Sequence, residues 1–141
     1  MKKVTPFLMF EKDSAGAMKY YTSIFKNAKI TGPGSFEIDG QEFLVYDGGP
    51  YFKFTEGISL FVNCESQAEV DELWEKLSAG GEKSQCGWVK DKYGVSWQVI
   101  PSILMKYLSD PDPVKSKRVM EAMLKMSKII IRDLEAAYQQ K

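Results

Sequence analysis

The chain has 141 residues, of which 44% are hydrophobic and 13% aromatic, a composition typical of a packed core and not of a disordered chain. Nineteen basic and nineteen acidic residues cancel, which argues against nucleic acid as a partner. The sequence contains no histidine. Ser-His-Asp and Cys-His catalysis are therefore excluded, and the commonest transition-metal ligand is missing.

Two cysteines, Cys64 and Cys86, have neither the spacing of a metal site nor that of a disulfide framework. Each is expected to be a small buried hydrophobic residue. No apolar run reaches the roughly 18 residues of a membrane-spanning helix, and the first residues lack the apolar segment of a secretory signal. We therefore expect a cytoplasmic protein with no membrane partner.

The first half of the chain predicts a strand, a helix, a short strand and a hairpin. Residues 4–10 form a nearly continuous apolar run that favours a strand. Asp13 or Ser14 can cap a helix that runs to about Phe25, because apolar residues recur there at helical spacing. Residues 29–34 hold a short strand at most.

The dipeptide Asp39-Gly40 is the strongest turn signal in the sequence. It joins predicted strands over residues 35–38 and 42–46. Residues 51–54 follow a Gly-Pro break and form either a strand extension or a loop over a pocket.

The same order of elements then begins again. Residues 57–63 predict a strand, and Ser66 with Glu69 forms the capping-box pattern of a helix start. A pair of glycines ends that helix. Residues 85–101 predict a second hairpin, in which Ser96 and Gln98 lie on the face opposite Trp97.

The chain is thus expected to contain two pattern repeats, over about residues 1–55 and 56–100, followed by a helical tail over residues 101–141. Each repeat is expected to be an antiparallel sheet with one helix, whose open face is buried against the other repeat or a second chain. The predicted tail helices (102–108, 114–126 and 129–138) are expected to pack on the core or on a dimer partner.

Several motifs together resemble one family. They are TPFLMF, AMKYYTSIF, DGQEF, DGGPYFKF, ISLFVNCESQAEVDELWEKLSAGG, QCGWVKDKYGVSWQVIP and VMEAMLKMSKIIIRDLEAAY. On these motifs the chain resembles the PhnB-like branch of the vicinal oxygen chelate (glyoxalase and bleomycin-resistance) superfamily, often labelled demethylubiquinone methyltransferase-like. The resemblance implies an α+β fold of two βαβββ modules that form a cupped mixed sheet, usually completed in a homodimer. The segment between the first helix and the DGQEF hairpin, residues 29–35 here, is shorter than the corresponding segment in relatives.

Metal-dependent members of this superfamily take ligands from four strands. The corresponding positions here lie near Pro6, Leu44, Gly57 or Ile58, and Gln98, and only Gln98 has a side chain that can coordinate. Tyr51 stands where relatives often have histidine. One neutral ligand does not hold a divalent ion against water, so we expect no metal and no other cofactor.

Methyl transfer is not supported by the sequence either. A donor such as S-adenosylmethionine normally sits at a glycine-rich turn in a doubly wound sheet. The glycine-rich segments at residues 32–34 and 48–50 are strand-breaking turns without such surroundings.

The resemblance and the strand pattern together predict a cavity for a small, partly planar ligand, oriented by Tyr46, Ser96 and Gln98. The candidate lining residues are Phe7, Met9, Glu42, Tyr46, Tyr51, Phe54, Trp88, Ser96 and Gln98. Lys53 and Lys90 are expected to be solvated charges.

Three functional hypotheses follow. The first is a metal-free small-molecule-binding protein. The second is an enzyme (an isomerase, a lyase, or a dioxygenase or glyoxalase-like protein) in which Glu42 is the candidate catalytic base. The third is an interaction dimer whose sheets are packed solid and bind no ligand.

Overall fold

The computed structural model describes residues 2–140 and contains two compact units that divide between Phe54 and Thr55. Each unit has a four-stranded mixed sheet with a helix packed against it. Three further helices follow the second sheet. The predicted α+β class, with two βαβββ modules, is confirmed.

The first unit consists of β1 (Phe7–Phe10), α1 (Ser14–Ile24), β2 (Ala28–Gly32), β3 (Ser35–Ile38) and β4 (Gln41–Asp47). The sheet order is β1-β4-β3-β2, with β1 parallel to β4 and the other neighbours antiparallel. Helix α1 begins after Asp13, whose carboxylate accepts a hydrogen bond from the amide of Gly16 at 3.2 Å.

Aromatic packing holds α1 on its sheet. Tyr21 is fully buried and lies 5.7 Å from the ring of Phe36, which stacks on Phe43 at 4.9 Å. The hairpin between β3 and β4 turns at Asp39 and Gly40, both with positive φ (49° and 81°). A two-residue turn with positive φ at both positions matches the twist of the strands, as the Asp-Gly signal predicted.

The second unit begins with β5 (Leu60–Cys64), α2 (Gln67–Ser78), β6 (Glu82–Lys83), β7 (Trp88–Lys90) and β8 (Ser96–Pro101). Its sheet order, β5-β8-β7-β6, repeats that of the first, and β5 is parallel to β8. The Ser66 hydroxyl accepts a hydrogen bond from the amide of Glu69 at 3.2 Å, which confirms the predicted cap.

Three C-terminal helices complete this unit: α3 (Ser102–Leu108), α4 (Pro113–Leu124) and α5 (Ile131–Gln139). They share a core formed by Ile100, Leu104, Val119, Ile129 and Leu134. The segment before α5 is tied to α2 by the Gln67 side chain. Its Nε2 donates to the carbonyl of Ile129 at 3.0 Å, and its Oε1 accepts from the amide of Ile131 at 2.7 Å.

The sheets are mixed and not antiparallel, so that prediction from the hairpin pattern was wrong. Helix α1 returns the chain to the end of the sheet where β1 begins, so β2 runs in the same direction as β1. Two hairpin reversals then leave β4 parallel to β1, and the second unit repeats this path.

Two strands begin later than predicted. The first starts at Phe7, since Pro6 has no amide hydrogen and contributes only its carbonyl, which accepts from Leu44. The fifth starts at Leu60, because the hydroxyl of Thr55 accepts from the amide of Gly57 and forms a turn there. Residues 51–54 are a loop. Among residues 2–140, no helix is long and apolar enough to cross a membrane.

Candidate functional site

The two faces of the second sheet have different surroundings. Helix α2 covers one face, where Val89, Trp97 and Val99 are at most 2% exposed. Strand pairing places Trp88 opposite Gln98, and Lys90 opposite Ser96. Side chains two residues apart on a strand share a face, so these four lie together on the face away from α2.

A cavity of about 390 Å³ lies on this face. Its lining includes Glu56, Glu82, Cys86, Trp88, Lys90 and Ser96. Trp88 and Ser96 were predicted from the sequence as ligand contacts, whereas the other four were not. A volume of this size falls within the range of small-molecule sites.

Gln98 lies beside this cavity and does not line it. Its Nε2 donates a hydrogen bond to the hydroxyl of Ser59 at 2.9 Å. The partner is 39 positions away in the sequence, so no local pattern indicated it. In this structure the amide therefore contacts a neighbouring strand end.

Lys90 is a partly exposed charge, as expected, and it is also paired with a carboxylate. Its ammonium nitrogen lies 2.6 Å from Oε1 of Glu56. The hydrogen bond from Lys90 lowers the pKa of Glu56, and the hydrogen bond to Glu56 raises the pKa of Lys90. Both side chains are partly exposed, so the pair orients charge at the cavity mouth more than it stabilises the fold.

The turn that positions β7 and β8 is built around a buried carboxylate. Asp91 is 2% exposed and accepts hydrogen bonds from the amides of Tyr93 and Val95 and from the indole nitrogen of Trp97, at 2.8, 3.1 and 2.8 Å. The sequence offered one signal, since Asp at the start of a turn often binds the backbone two residues on. No pattern in the sequence indicated the hydrogen bond between Asp91 and Trp97.

The two cysteines differ in their surroundings. Cys64 is fully buried, and burial raises the pKa of its thiol to about 12, with Glu69 adding to the shift. This confirms the expectation for Cys64. Cys86 is only half-buried and lines the cavity, so it does not fit that expectation.

The predicted site residues of the first unit are spread over a sheet face and a loop. Pairing of β1 with β4 places Phe7 beside Leu44, and Met9 beside Tyr46, on the face away from α1. Phe7 is 54% and Tyr46 62% exposed. Glu42 lies on the same face, and its Oε1 is buried with no hydrogen-bond partner among the described residues.

The remaining two candidates lie in the loop after β4. Tyr51 is 89% exposed. Phe54 packs edge-on against Phe10 at 5.1 Å between ring centroids. Phe54 is therefore in contact with the core of the first unit, and Tyr51 is in contact with solvent.

The superfamily's metal positions do not fit a metal here. Pro6 and Leu44 are adjacent through their backbone, and neither side chain can coordinate. Ile58 is 80% exposed and apolar, and the amide of Gln98 is bonded to Ser59. Within residues 2–140, no group of three His, Cys, Asp or Glu side chains is placed to bind a metal ion.

Comparisons with known proteins agree on one family. The family model described as 3-demethylubiquinone-9 3-methyltransferase matches residues 2–35 and 32–100. A PhnB protein from Bacillus cereus, titled with the same methyltransferase name, is 36% identical, with 72% of this chain and 100% of that chain covered and a TM-score of 0.66. No curated protein matches the chain.

A second solved structure, protein PA1353 from Pseudomonas aeruginosa, is 18% identical with a TM-score of 0.57. The alignment covers 69% of this chain and 95% of that one. At this identity the similarity supports the fold alone.

Proposed function

Because the chain belongs to the PhnB-like family that the 3-demethylubiquinone-9 3-methyltransferase model describes, we propose that it binds a small molecule without a metal ion. The observation that carries the proposal is the cavity of about 390 Å³ on the open face of the second sheet. Trp88 and Ser96, both expected from the sequence to contact a ligand, line it together.

The lining favours a planar ligand with a hydrogen-bond acceptor. The Trp88 indole is only half-buried, so part of its ring is available for stacking on a planar group. The hydroxyl of Ser96 supplies a donor from a nearly buried position. Lys90 and Glu56 place one charge of each sign at the same cavity.

Methyl transfer is not part of the proposal. The turns from β1 to α1 and from β5 to α2 span residues 11–13 and 65–66, and neither contains a glycine. A nucleotide-like donor normally binds at a glycine-rich turn between a strand and a helix. Here Gly32 ends β2 and Gly34 lies in the β-hairpin turn that follows. The family's methyltransferase name therefore does not transfer to this chain.

The proposal is tested by a fragment screen on ¹⁵N-labelled protein. We expect planar fragments with a carbonyl group to shift the amide resonances of Trp88 and Ser96. Trp88→Leu should weaken such binding about tenfold, because it removes the stacking surface. Leu124→Ala, at an exposed position of α4, is the control and should leave affinity unchanged. A library in which no fragment perturbs these amides would overturn the proposal.

A second candidate function rests on the buried Oε1 of Glu42, which lacks a partner among the described residues. A carboxylate oxygen without a donor is available to take a proton from a substrate, as a general base does. In an enzyme of this kind, Glu42→Gln would lower turnover about 100-fold, as is usual for loss of a general base. Unchanged turnover in the variant would show that Glu42 is not the general base.

We propose further that the protein is a homodimer in the cytoplasm. The exposed aromatic side chains of Phe7 and Tyr46 on the first sheet support an interface between copies. The two free cysteines are typical of a reducing compartment. Light scattering after gel filtration tests the dimer, and a monomeric mass at micromolar concentration would rule it out.

A further inference from the structure

Cys86 has an unusual backbone conformation at the edge of the cavity. Its φ is 58°, in the left-handed region that non-glycine residues rarely adopt. The conformation is fixed from outside the sheet: its amide donates to the carbonyl of Met126 at 2.8 Å, and the amide of Gly87 donates to that of Ser127 at 2.8 Å. Strained backbone of this kind persists where the surroundings impose it, often at functional sites.

Ser96 is a second polar residue at this cavity. This residue is 2% exposed, lines the same cavity, and lies opposite Lys90 on the face that carries the cavity. No hydrogen bond of its hydroxyl to another group occurs among residues 2–140, and the residue lines the cavity. The hydroxyl is therefore available to donate to a ligand atom inside the cavity.

We propose that the cavity captures a planar α,β-unsaturated carbonyl compound by covalent addition to Cys86. This inference rests on the proposed small-molecule function and names the ligand's chemical class. The Cys86 thiol gives its proton to solvent, and the sulfur forms a bond to the β-carbon of the ligand. The carbon–carbon π pair moves toward the carbonyl oxygen, and solvent returns one proton to the α-carbon. No oxidant or other reactant is needed.

Each lining group has a part in this addition. The Trp88 ring supports the planar body of the ligand. The Ser96 hydroxyl donates to the carbonyl oxygen, where negative charge develops as the sulfur adds. Cys64 cannot take part, because it is fully buried and its thiol pKa is raised to about 12. Cys64 therefore serves as an internal control that we expect not to react.

The test compares two thiol reagents on the native protein at pH 7. N-phenylmaleimide adds by the proposed route through an enolate, and iodoacetamide alkylates by displacement of iodide without one. We expect one equivalent of N-phenylmaleimide to add at Cys86, located by peptide mass mapping. Cys64→Ser should react like the natural chain, and Cys86→Ser should not react. Labelling of Cys64 at the same rate as Cys86 would overturn the proposal.

Ser96→Ala measures what the Ser96 hydroxyl contributes to the rate of addition. We expect it to slow N-phenylmaleimide addition about tenfold, in line with loss of one donor to developing charge. Iodoacetamide alkylation should change by less than about twofold, since no oxyanion forms in that reaction. An equal effect on both reagents would show that Ser96 only shapes the site, which contradicts its proposed role.

The saturated analogue N-phenylsuccinimide separates this inference from the proposed function. It has the same ring and carbonyl groups but no carbon–carbon double bond to attack. If it shifts the Trp88 amide while the maleimide reacts with Cys86 no faster than with free glutathione, covalent capture is wrong and reversible binding remains. If Cys86 reacts faster than glutathione and the analogue also binds, both proposals are supported.

Discussion

The two sheets share one topology, yet the connection between their second and third strands differs. In the first unit β2 and β3 are joined by Pro33 and Gly34 alone. In the second unit the link from β6 to β7 spans residues 84–87, and backbone bonds to Met126 and Ser127 fix it. The longer link contributes Ser84, Gln85 and Cys86 to the cavity lining. A repeated fold thus acquires a site through its connections.

The C-terminal helices strengthen this contrast. The family model matches the chain up to residue 100, and the segment between α4 and α5 that fixes the link lies beyond it. The backbone that positions Cys86 therefore depends on a part of the chain outside the family match. We expect relatives that lack these helices to have a different conformation at this link.

The largest expected effect is at the turn of the second hairpin. Asp91→Ala removes the acceptor of three donors, two of them in buried hydrogen bonds, and should lower the free energy of unfolding by about 3–4 kcal/mol. Asp39→Ala in the corresponding exposed turn should cost less than about 1 kcal/mol. Urea unfolding of both variants measures the difference. Equal losses would mean that the two hairpins are held in the same way.

Two glycine substitutions compare the link from β6 to β7, which contains Gly87, with the turn from β3 to β4, which contains Gly40. Gly87→Ala should destabilise by about 2–3 kcal/mol, because φ is +85° and a Cβ would lie 2.8 Å from Cδ1 of Ile100. Gly40→Ala has a similar φ of +81° but meets nothing within 4 Å, so about 1 kcal/mol is expected from backbone strain alone. Thermal and urea unfolding measure both. A Gly87→Ala variant as stable as Gly40→Ala would contradict the tight packing described for this link.

The smallest effect is expected in the C-terminal helices. Asp110 accepts a hydrogen bond from the hydroxyl of Tyr138, which lowers the pKa of Asp110 below its ordinary value of 3.8. A lowered carboxyl pKa contributes stability above pH 3.8 that is lost as pH falls below it. Asp110→Asn should therefore reduce the loss of melting temperature as pH falls from about 5 to about 2, a range that begins above the ordinary pKa of 3.8 and extends below it. An unchanged pH profile would show that this bond does not contribute.

Local patterns predicted most of the secondary structure. Ser66 with Glu69, and Asp39 with Gly40, each act within a few residues, so the sequence contains their whole cause. The pairing of Glu56 with Lys90, and of Gln98 with Ser59, joins residues more than thirty positions apart. Such contacts depend on how strands are brought together, and no periodicity in the sequence encodes them.

The same division between local and long-range causes applies to the candidate site. Trp88 and Ser96 were expected to line a cavity from the resemblance and the strand pattern together, and the structure places both on one face of the hairpin. Cys86 was not, because its exposure depends on a left-handed backbone that residues 126 and 127 impose. Residue type alone does not distinguish a half-buried cysteine from a fully buried one.

The Gln67 amide has a consequence for the timing of ligand exchange. It binds the backbone on both sides of Ile130, so it helps to fasten the segment that leads from α4 to α5, together with the ion pair between Lys128 and Asp71. Segments held by few bonds open locally far more often than the whole protein unfolds. Brief release of this segment would also free the amides of Cys86 and Gly87 from their carbonyl partners. We therefore expect hydrogen exchange at these two amides to speed up in Gln67→Ala, and the on- and off-rates of any cavity ligand to rise with it.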